Sequence, residues 1–219
     1  MRKSILVIGI GRFGRGVIEG LYEKGQDIFA IDANEDALES VRGMIVSGAI
    51  LDVAEDDEEL TRIVGDKNFD EAVVAMGEDL EGALIATHIL KEAGLPVSVK
   101  ASTERRGNVL IKMGADRVVF PERDIGHRLA HLISNDSVID LLELPQGFMV
   151  EQIGVGKIFT GQTMAEMDIP SRFGVYILLV YRGDVPIQPQ ASTILEVGDE
   201  IIVFGKRDKL EEFEKQNFA

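Results

Sequence analysis

The sequence predicts an α/β protein, with a doubly wound parallel sheet followed by a small α+β domain. Before about Ser134, six apolar stretches alternate with helical patterns, which is typical of a parallel sheet with right-handed crossovers. The first apolar stretch runs directly into a glycine-rich turn. After Ser134 the apolar stretches shorten and the alternation stops. We therefore expect two domains, at residues 1–134 and 135–219.

The glycine-rich turn has the spacing G-x-G-x-x-G, at Gly9, Gly11 and Gly14. In Rossmann folds the first glycine permits a tight turn, the second lets a pyrophosphate approach the backbone, and the third allows close helix packing. Asp32 ends the second apolar stretch, at the spacing expected of a carboxylate that accepts hydrogen bonds from ribose hydroxyls. The motif alone is weak evidence, but this context favours nucleotide binding over a plain turn with a capping aspartate.

The other elements of the first domain follow from apolar periodicity and from the residues that punctuate it. Strands are predicted at residues 5–8, 27–32, 44–46, 71–76, 97–100 and 117–120. Helices are predicted at residues 12–24, 36–41, 80–93, 104–113 and 121–133. Their ends are marked by Asn34 as an N-cap, by Pro121 in a first turn, and by Gly25, Gly94 and Gly114 after last turns. A nucleotide is expected beyond the carboxyl ends of the first four strands.

Five consecutive acidic residues, at positions 55–59, invite a cation-binding interpretation. The better interpretation is that they lie near a helix N-terminus, where the helix dipole favours carboxylates and the outer face is solvated. We therefore expect a further helix here and no metal site.

The second domain is predicted to be strand-rich. Strands are predicted at residues 148–153, 176–181 and 200–204, helices at residues 162–167 and 208–213, and a loop at residues 135–137. Such a small domain forms a marginal core by itself, so support from a partner copy is expected.

Composition excludes several classes of function. The 219 residues include no cysteine, which excludes disulfides, a thiol nucleophile and cysteine-ligated zinc. The formal net charge of −15 argues against non-specific binding to nucleic acid or anionic lipid. No apolar stretch approaches the ~18 residues needed to span a bilayer, and the N-terminus lacks the layout of a signal peptide. We expect a cytoplasmic protein without direct membrane insertion.

Several segments together resemble a known family. They are the turn Gly-Ile-Gly-Arg-Phe-Gly, Asp32, Lys100-Ala101, and residues 113–122 and 172–177. These are similar to the cytosolic regulators of the Ktr and Trk potassium-uptake systems, whose N- and C-terminal domains are called RCK (regulator of K⁺ conductance). Members pair through their Rossmann-like domains, assemble as octameric rings on a membrane channel, and change ring shape with bound nucleotide. The resemblance implies a nucleotide-sensing subunit, peripherally attached to the inner membrane face through a potassium channel or transporter.

The resemblance also implies roles for particular residues. The ligand would be ATP, ADP, AMP or NAD(H), bound by Gly9, Gly11, Arg12, Phe13, Gly14, Asp32, Asp52, Ala75, Met76, Gly77 and Lys100. Arg12 would reach nucleotide phosphate across the subunit interface, and Glu122 would hold Mg²⁺ or Ca²⁺ between paired subunits. The alternatives are an exposed helix-start arginine, an ordinary surface lysine at position 100, and a glutamate favoured by a helix dipole. Residues 168–172 lack the asparagine and arginine pair that relatives use for cyclic di-AMP, so that ligand is not expected.

Two other classes of function use the same opening motif. An NAD-dependent oxidoreductase would need a region that presents substrate and a proton donor to the nicotinamide, and the small second domain is poor in candidates. A redox-sensing repressor would need a basic DNA-reading element. His127 and His131 lie four residues apart on a helix, but they lack the glutamate of an H-E-x-x-H zinc site, so packing at an interface is the favoured interpretation. We therefore expect a regulator that is not an enzyme.

Overall fold

The computed structural model describes residues 2–66, 69–134 and 138–218. Contacts divide the chain into two compact units, Met1–Asp124 and Ile125–Ala219. The domain boundary expected after Ser134 stays a prediction, and the loop expected at residues 135–137 lies outside the described residues. Within the described ranges, no helix combines the length and the apolar character that a bilayer-spanning segment requires.

The first unit contains a six-stranded parallel sheet in the order β3-β2-β1-β4-β5-β6, as the sequence predicts. The strands are β1 (Ser4–Ile8), β2 (Asp27–Asp32), β3 (Ser47–Ile50), β4 (Glu71–Val74), β5 (Val97–Lys100) and β6 (Arg117–Val119). The helices that follow them are α1 (Arg12–Glu23), α2 (Glu35–Val41), α3 (Asp57–Asp66), α4 (Leu80–Glu92), α5 (Glu104–Lys112) and α6 (Pro121–Ser134), of which α6 belongs to the second unit from Ile125 onward. Apolar clusters cover both faces of the sheet, so the strands read as nearly continuous apolar runs.

The predicted third strand is wrong: residues 44–46 form a loop, and β3 lies at Ser47–Ile50. Met44 and Ile45 pack against the cluster beneath β1 and β2, so their apolar character reflects a covering loop and not a strand. β3 is an edge strand, and Ile50 is 58% exposed. An edge strand that is largely solvated carries no apolar run, which is why the sequence pattern missed it.

Much of the acidic run lies at a helix start, as the sequence predicts. Asp57, Glu58 and Glu59 occupy the first turn of α3, where the helix dipole favours carboxylates. Within the described residues there is no group of three or more histidines and acids that could hold a metal ion. The predicted helix start is confirmed.

The second unit is built on a five-stranded antiparallel sheet in the order β10-β9-β11-β8-β7. Its strands are β7 (Val138–Glu143), β8 (Phe148–Gly154), β9 (Tyr176–Arg182), β10 (Val185–Ile187) and β11 (Glu200–Lys206), and its helices are α7 (Met164–Met167), α8 (Ile169–Phe173) and α9 (Arg207–Asn217). The three predicted strands are confirmed, whereas β7, β10 and α8 were missed. A register shift interrupts the alternation of inward and outward side chains in β7. β10 contains Pro186 and α8 contains Pro170, and a proline in so short a segment is typical of a turn.

The core of the second unit contains a charged residue at an apolar position. Glu151 lies on β8 between the buried Met149 and Ile153 and is 2% exposed. His131 Nε2, on α6, lies 3.2 Å from Glu151 Oε1, and its packing at an interface stays a prediction. Burial raises the pKa of Glu151, and a hydrogen bond with the buried Glu214 on α9 and the charge of Arg207 offset this only in part, while Glu211 adds to it.

This raised pKa predicts that the unit loses stability as the pH rises. Folded Glu151 keeps its proton above pH 4.5, the ordinary value of its pKa, so its contribution to stability is fully present below pH 4.5 and is lost as the pH rises through the raised pKa. Relative to Glu151→Gln, which cannot ionise, wild type should lose stability over the pH range from 4.5 up to the raised pKa, by at most about 1.4 kcal/mol for each pH unit. Urea denaturation across this range measures the difference in unfolding free energy between the two proteins.

Glu23→Gln is the control, because Glu23 is exposed at the end of α1. Its difference from wild type should not vary with pH. A difference between wild type and Glu151→Gln that is likewise constant would contradict the role assigned to Glu151.

Candidate nucleotide-binding site

The predicted site residues gather at the carboxyl edge of the parallel sheet. β1 and β4 are neighbours although two strands separate them in the chain, so the strand order reverses at this point. Ligands of open α/β sheets bind in the crevice at such a switch point. The glycine-rich turn follows β1, Asp32 ends β2, the turn at residues 75–77 follows β4, and Lys100 ends β5.

The three glycines of the motif have distinct structural roles. Gly9 has φ of +90°, and its N–H donates to the carbonyl oxygen of Ile31 on β2 at 2.8 Å. A Cβ on Gly14 would lie 1.9 Å from the Gly9 carbonyl oxygen, so only glycine lets α1 pack this closely. A Cβ on Gly11 would meet no atom within 4 Å. The second glycine therefore faces open space, where the motif places a phosphate.

The N-terminus of α1 is free to bind an anion. Gly11 is its N-cap and supplies no side-chain hydrogen bond, and the first turn carries no acid. By contrast, α2, α4 and α5 are capped by the side chains of Asn34, Asp79 and Thr103. The first N–H groups of a helix have no partner within the helix, and with the helix dipole they attract phosphate. α1 thus presents the donors that a nucleotide phosphate requires.

Asp32 connects two turns at the edge of the crevice. Its Oδ2 accepts a hydrogen bond from Ile10 N at 2.6 Å, and its Oδ1 accepts one from Asn34 N at 2.8 Å. These bonds fix the half-buried carboxylate. Each carboxylate oxygen can accept a second hydrogen bond, so both remain available to ribose hydroxyls.

A cluster of charges lies beyond the glycine-rich turn. Lys100 Nζ donates to Glu122 Oε1 at 2.6 Å and lies 5.9 Å from the centre of the Phe13 ring. The side chain of Lys100 is only 15% exposed, unlike an ordinary surface lysine. The hydrogen bond from Lys100, and to a smaller extent the charge of Arg12, lower the pKa of Glu122. A cation bound by Glu122 would compete with Lys100.

Arg12 and Asp52 make fewer contacts. Arg12 is exposed at the start of α1 and forms no hydrogen bond or ion pair with the residues described. Asp52, also exposed, accepts a hydrogen bond from Ala54 N at 3.0 Å and so shapes the turn after β3. Their roles toward a ligand stay predictions.

The turn after β4 packs directly on the glycine-rich turn. Ala75 N donates to the carbonyl oxygen of Ile8 at 2.7 Å, and a Cβ on Gly9 would lie 2.9 Å from Met76 Cγ. A Cβ on Gly77 would lie 2.9 Å from Lys100 Cε. Met76 and Lys100 therefore flank the two glycines at contact distance.

The sequence analysis missed Arg106, on α5. Its Nη1 donates to the carbonyl oxygens of Gly77 and Glu78 at 2.9 and 3.2 Å. No sequence signal singles it out, because Arg105 occupies the same first turn and makes no hydrogen bond or ion pair within the described residues.

Comparisons with known proteins agree with this geometry. The TrkA-N domain model matches residues 5–121, and the TrkA-C domain model matches residues 148–217. The chain belongs to the TrkA family. It is 35% identical to Ktr system potassium uptake protein C of Bacillus subtilis over 218 residues, which cover 99% of this chain and 98% of that relative. It is 37% identical to Ktr system potassium uptake protein A of Vibrio alginolyticus, over 95% of this chain and 94% of the relative.

A solved structure shares the fold of this chain. A structure of the GsuK channel bound to NAD superimposes with a TM-score of 0.64 at 19% sequence identity. The match covers 100% of this chain and 40% of the GsuK chain. The expected combination of a Rossmann-like and a small α+β RCK domain is thereby confirmed.

The contact between Gly14 and Gly9 generates a prediction. Gly14→Ala should destabilise the protein by about 3 kcal/mol or more, because a backbone carbonyl cannot move aside as a side chain can. Gly16→Ala is the matched control: it lies on the same helix with no atom within 4 Å of its added Cβ, and should gain about 0.5–1 kcal/mol. Chemical denaturation measures both, and equal stabilities would disprove the tight packing.

Proposed function

We propose that the chain is a nucleotide-sensing regulatory subunit of a membrane potassium-uptake system. The observation that carries this proposal is the uncapped glycine-rich turn beside Asp32, in a chain that matches Ktr system potassium uptake proteins over nearly its full length. In this proposal, ligand exchange in the crevice favours one of two geometries of an oligomeric ring, which then opens or closes the transporter.

The proposed ligand is an adenine nucleotide (ATP, ADP or AMP) or NAD(H). Asp32 would accept hydrogen bonds from the ribose hydroxyls, and the free N–H groups of α1 would receive phosphate. The turn Ala75-Met76-Gly77 and Asp52 would border the adenosine. Asp32 favours an unmodified ribose over NADP, and the NAD-bound GsuK channel, which has the same fold, is consistent with this choice.

The cluster of charges formed by Arg12, Lys100 and Glu122 would distinguish nucleotides by their phosphates. Arg12, exposed and unpaired within the described residues, would reach a phosphate of the nucleotide held by a paired subunit, where a guanidinium offers two parallel donors. Lys100 would supply a second positive charge. Displacement of Lys100 from Glu122 by nucleotide phosphate would free that carboxylate for Mg²⁺ or Ca²⁺ at the dimer interface, because carboxylates are preferred ligands of both ions.

The proposed assembly is a homodimer that builds an octameric ring on a potassium channel or transporter. The chain would be cytoplasmic and attached peripherally to the inner face of the membrane through that partner. A ligand shifts such an assembly only by its difference in affinity for the two geometries. We propose domains at residues 1–134, which bind the nucleotide, and 135–219, which complete the regulator.

Binding should be visible as nucleotide-dependent stabilisation. ATP, ADP, AMP and NADH at saturating concentrations should raise the melting temperature of wild type, because a ligand that binds only the folded state stabilises it. Arg12→Ala should keep adenosine affinity and lose most of its discrimination between ATP and ADP, since it lacks the phosphate contact. Thermal shift titrations measure both effects.

Arg15→Ala is the matched control, because Arg15 lies on the same helix and, among the residues that the structure describes, pairs only with the exposed Glu19. It should discriminate ATP from ADP as wild type does. Asp32→Asn should weaken all four ligands about 10- to 100-fold, as expected for loss of a charged hydrogen-bond acceptor. Negligible shifts for wild type with all four ligands would refute the proposed site.

We also propose that the protein is a regulator and not an oxidoreductase. The purified chain should leave NADH unoxidised over hours. It should also capture a potassium-transporting membrane subunit from detergent extracts, and the amount captured should differ between ATP and ADP. Absorbance at 340 nm and co-purification measure the two properties. Sustained NADH turnover without such capture would favour the oxidoreductase instead.

A further inference from the structure

Arg106 joins two loops at the carboxyl edge of the parallel sheet. Its Nη1 donates to the Gly77 and Glu78 carbonyl oxygens, in the loop between β4 and α4. The same nitrogen lies 3.1 Å from Oγ of Ser102, in the loop between β5 and α5. Arg106 as a residue is half-buried, and its hydrogen bond to the Gly77 carbonyl is partly buried, whereas the contacts with Glu78 and Ser102 are exposed.

The loop that Arg106 holds forms one wall of the crevice. Met76 contacts Gly9, and Gly77 packs on the aliphatic stem of Lys100. Between Ala75 and the start of α4, the backbone hydrogen bond from Gly77 N to the Ala75 carbonyl, at 3.1 Å, is local. The Gly77 and Glu78 carbonyls are tied to the rest of the unit by Arg106. Moving them would shift Met76 against the glycine-rich turn.

Arg106 can donate to both loop carbonyls, but its position in α5 is unfavourable for a cation. All three contacts are made by one nitrogen, Nη1, whose two N–H groups are shared among the Gly77 and Glu78 carbonyls and the Ser102 hydroxyl. The place of Arg106 in the first turn of α5 sets a cation against the helix dipole. The loop carbonyls offset this cost for Arg106, whereas Arg105 in the same turn is exposed to solvent.

We propose that Arg106 is a positioning residue that holds the Met76-Gly77 turn ready for the adenosine part of the ligand. This inference rests on the proposed function, since it presupposes that an adenine nucleotide binds at the glycine-rich turn. Arg106 itself contacts neither adenosine nor phosphate. Without it, the turn occupies the binding-competent conformation for only a fraction of the time, and affinity falls by that fraction.

Arg106→Met, which keeps the aliphatic stem and removes the donors, tests the proposal. Its dissociation constants for adenosine, AMP and ATP should rise about five- to tenfold, by the same factor for all three ligands. Arg105→Met is the matched control, because this substitution removes the same charge from the same helical turn. Arg105 is exposed and forms no hydrogen bond or ion pair within the described residues. It should change each constant less than twofold. Isothermal titration calorimetry well below the melting temperature measures the constants.

Each other outcome has a distinct meaning. A loss that grows from adenosine to ATP would overturn the proposal in favour of direct phosphate contact. A lowered melting temperature of the free protein, with dissociation constants equal to those of Arg105→Met, would reduce Arg106 to a stabilising role and also overturn it. Wild type that binds none of the three ligands would refute the proposed function itself. Should Arg106→Met fail to fold, Arg106→Gln, which keeps a polar but neutral side chain, must show the same uniform loss.

Discussion

The nucleotide site depends on one close approach, between the backbone of Gly9 and the helix that starts three residues later. Gly9 has a positive φ, and its N–H donates a hydrogen bond to β2. Gly14, on α1, lies so close to the Gly9 carbonyl that no side chain fits between them. This packing fixes the direction of α1, and so aims its free N–H groups at the switch point between β1 and β4. Asp32 then binds the Ile10 amide within the same turn. The donors and the acceptor of the crevice are held by one small piece of backbone.

Sequence patterns predicted most of the first unit, because its strands are buried on both faces and its helix ends are marked by glycine, proline and capping residues. The pattern failed where a strand is solvated: β3 has no apolar run, and the apolar residues before it cover a core as a loop. In the second unit, β7 and β10 escaped because a register shift and a proline break the alternation. The apolar pattern of a sequence indicates which residues are buried. It predicts a strand only where the residues of that strand are themselves buried.

Part of the candidate site, like part of the fold, could be predicted from the sequence. The glycine spacing and Asp32 could be found from sequence, because local backbone geometry sets their roles. The ion pair of Lys100 with Glu122 and the hydrogen bonds of Arg106 to the carbonyls of Gly77 and Glu78 join residues more than twenty positions apart. No local sequence pattern contains such pairs. Long-range polar contacts therefore required the structure.

The second unit carries a feature that a sequence selected for rigidity alone would lack. At the inward position of Glu151, with Met149 and Ile153 beside it on the same face, a valine or leucine would satisfy the alternation of β8 and remove a buried acid. Replacing a whole set of buried ionisable groups with apolar ones of similar volume is often neutral or favourable, whereas removing one partner leaves the others buried without it. Laboratory evolution toward heat tolerance should therefore change position 151 together with its partners His131 and Glu214, and the variants it yields would show what the acid contributes beyond folding.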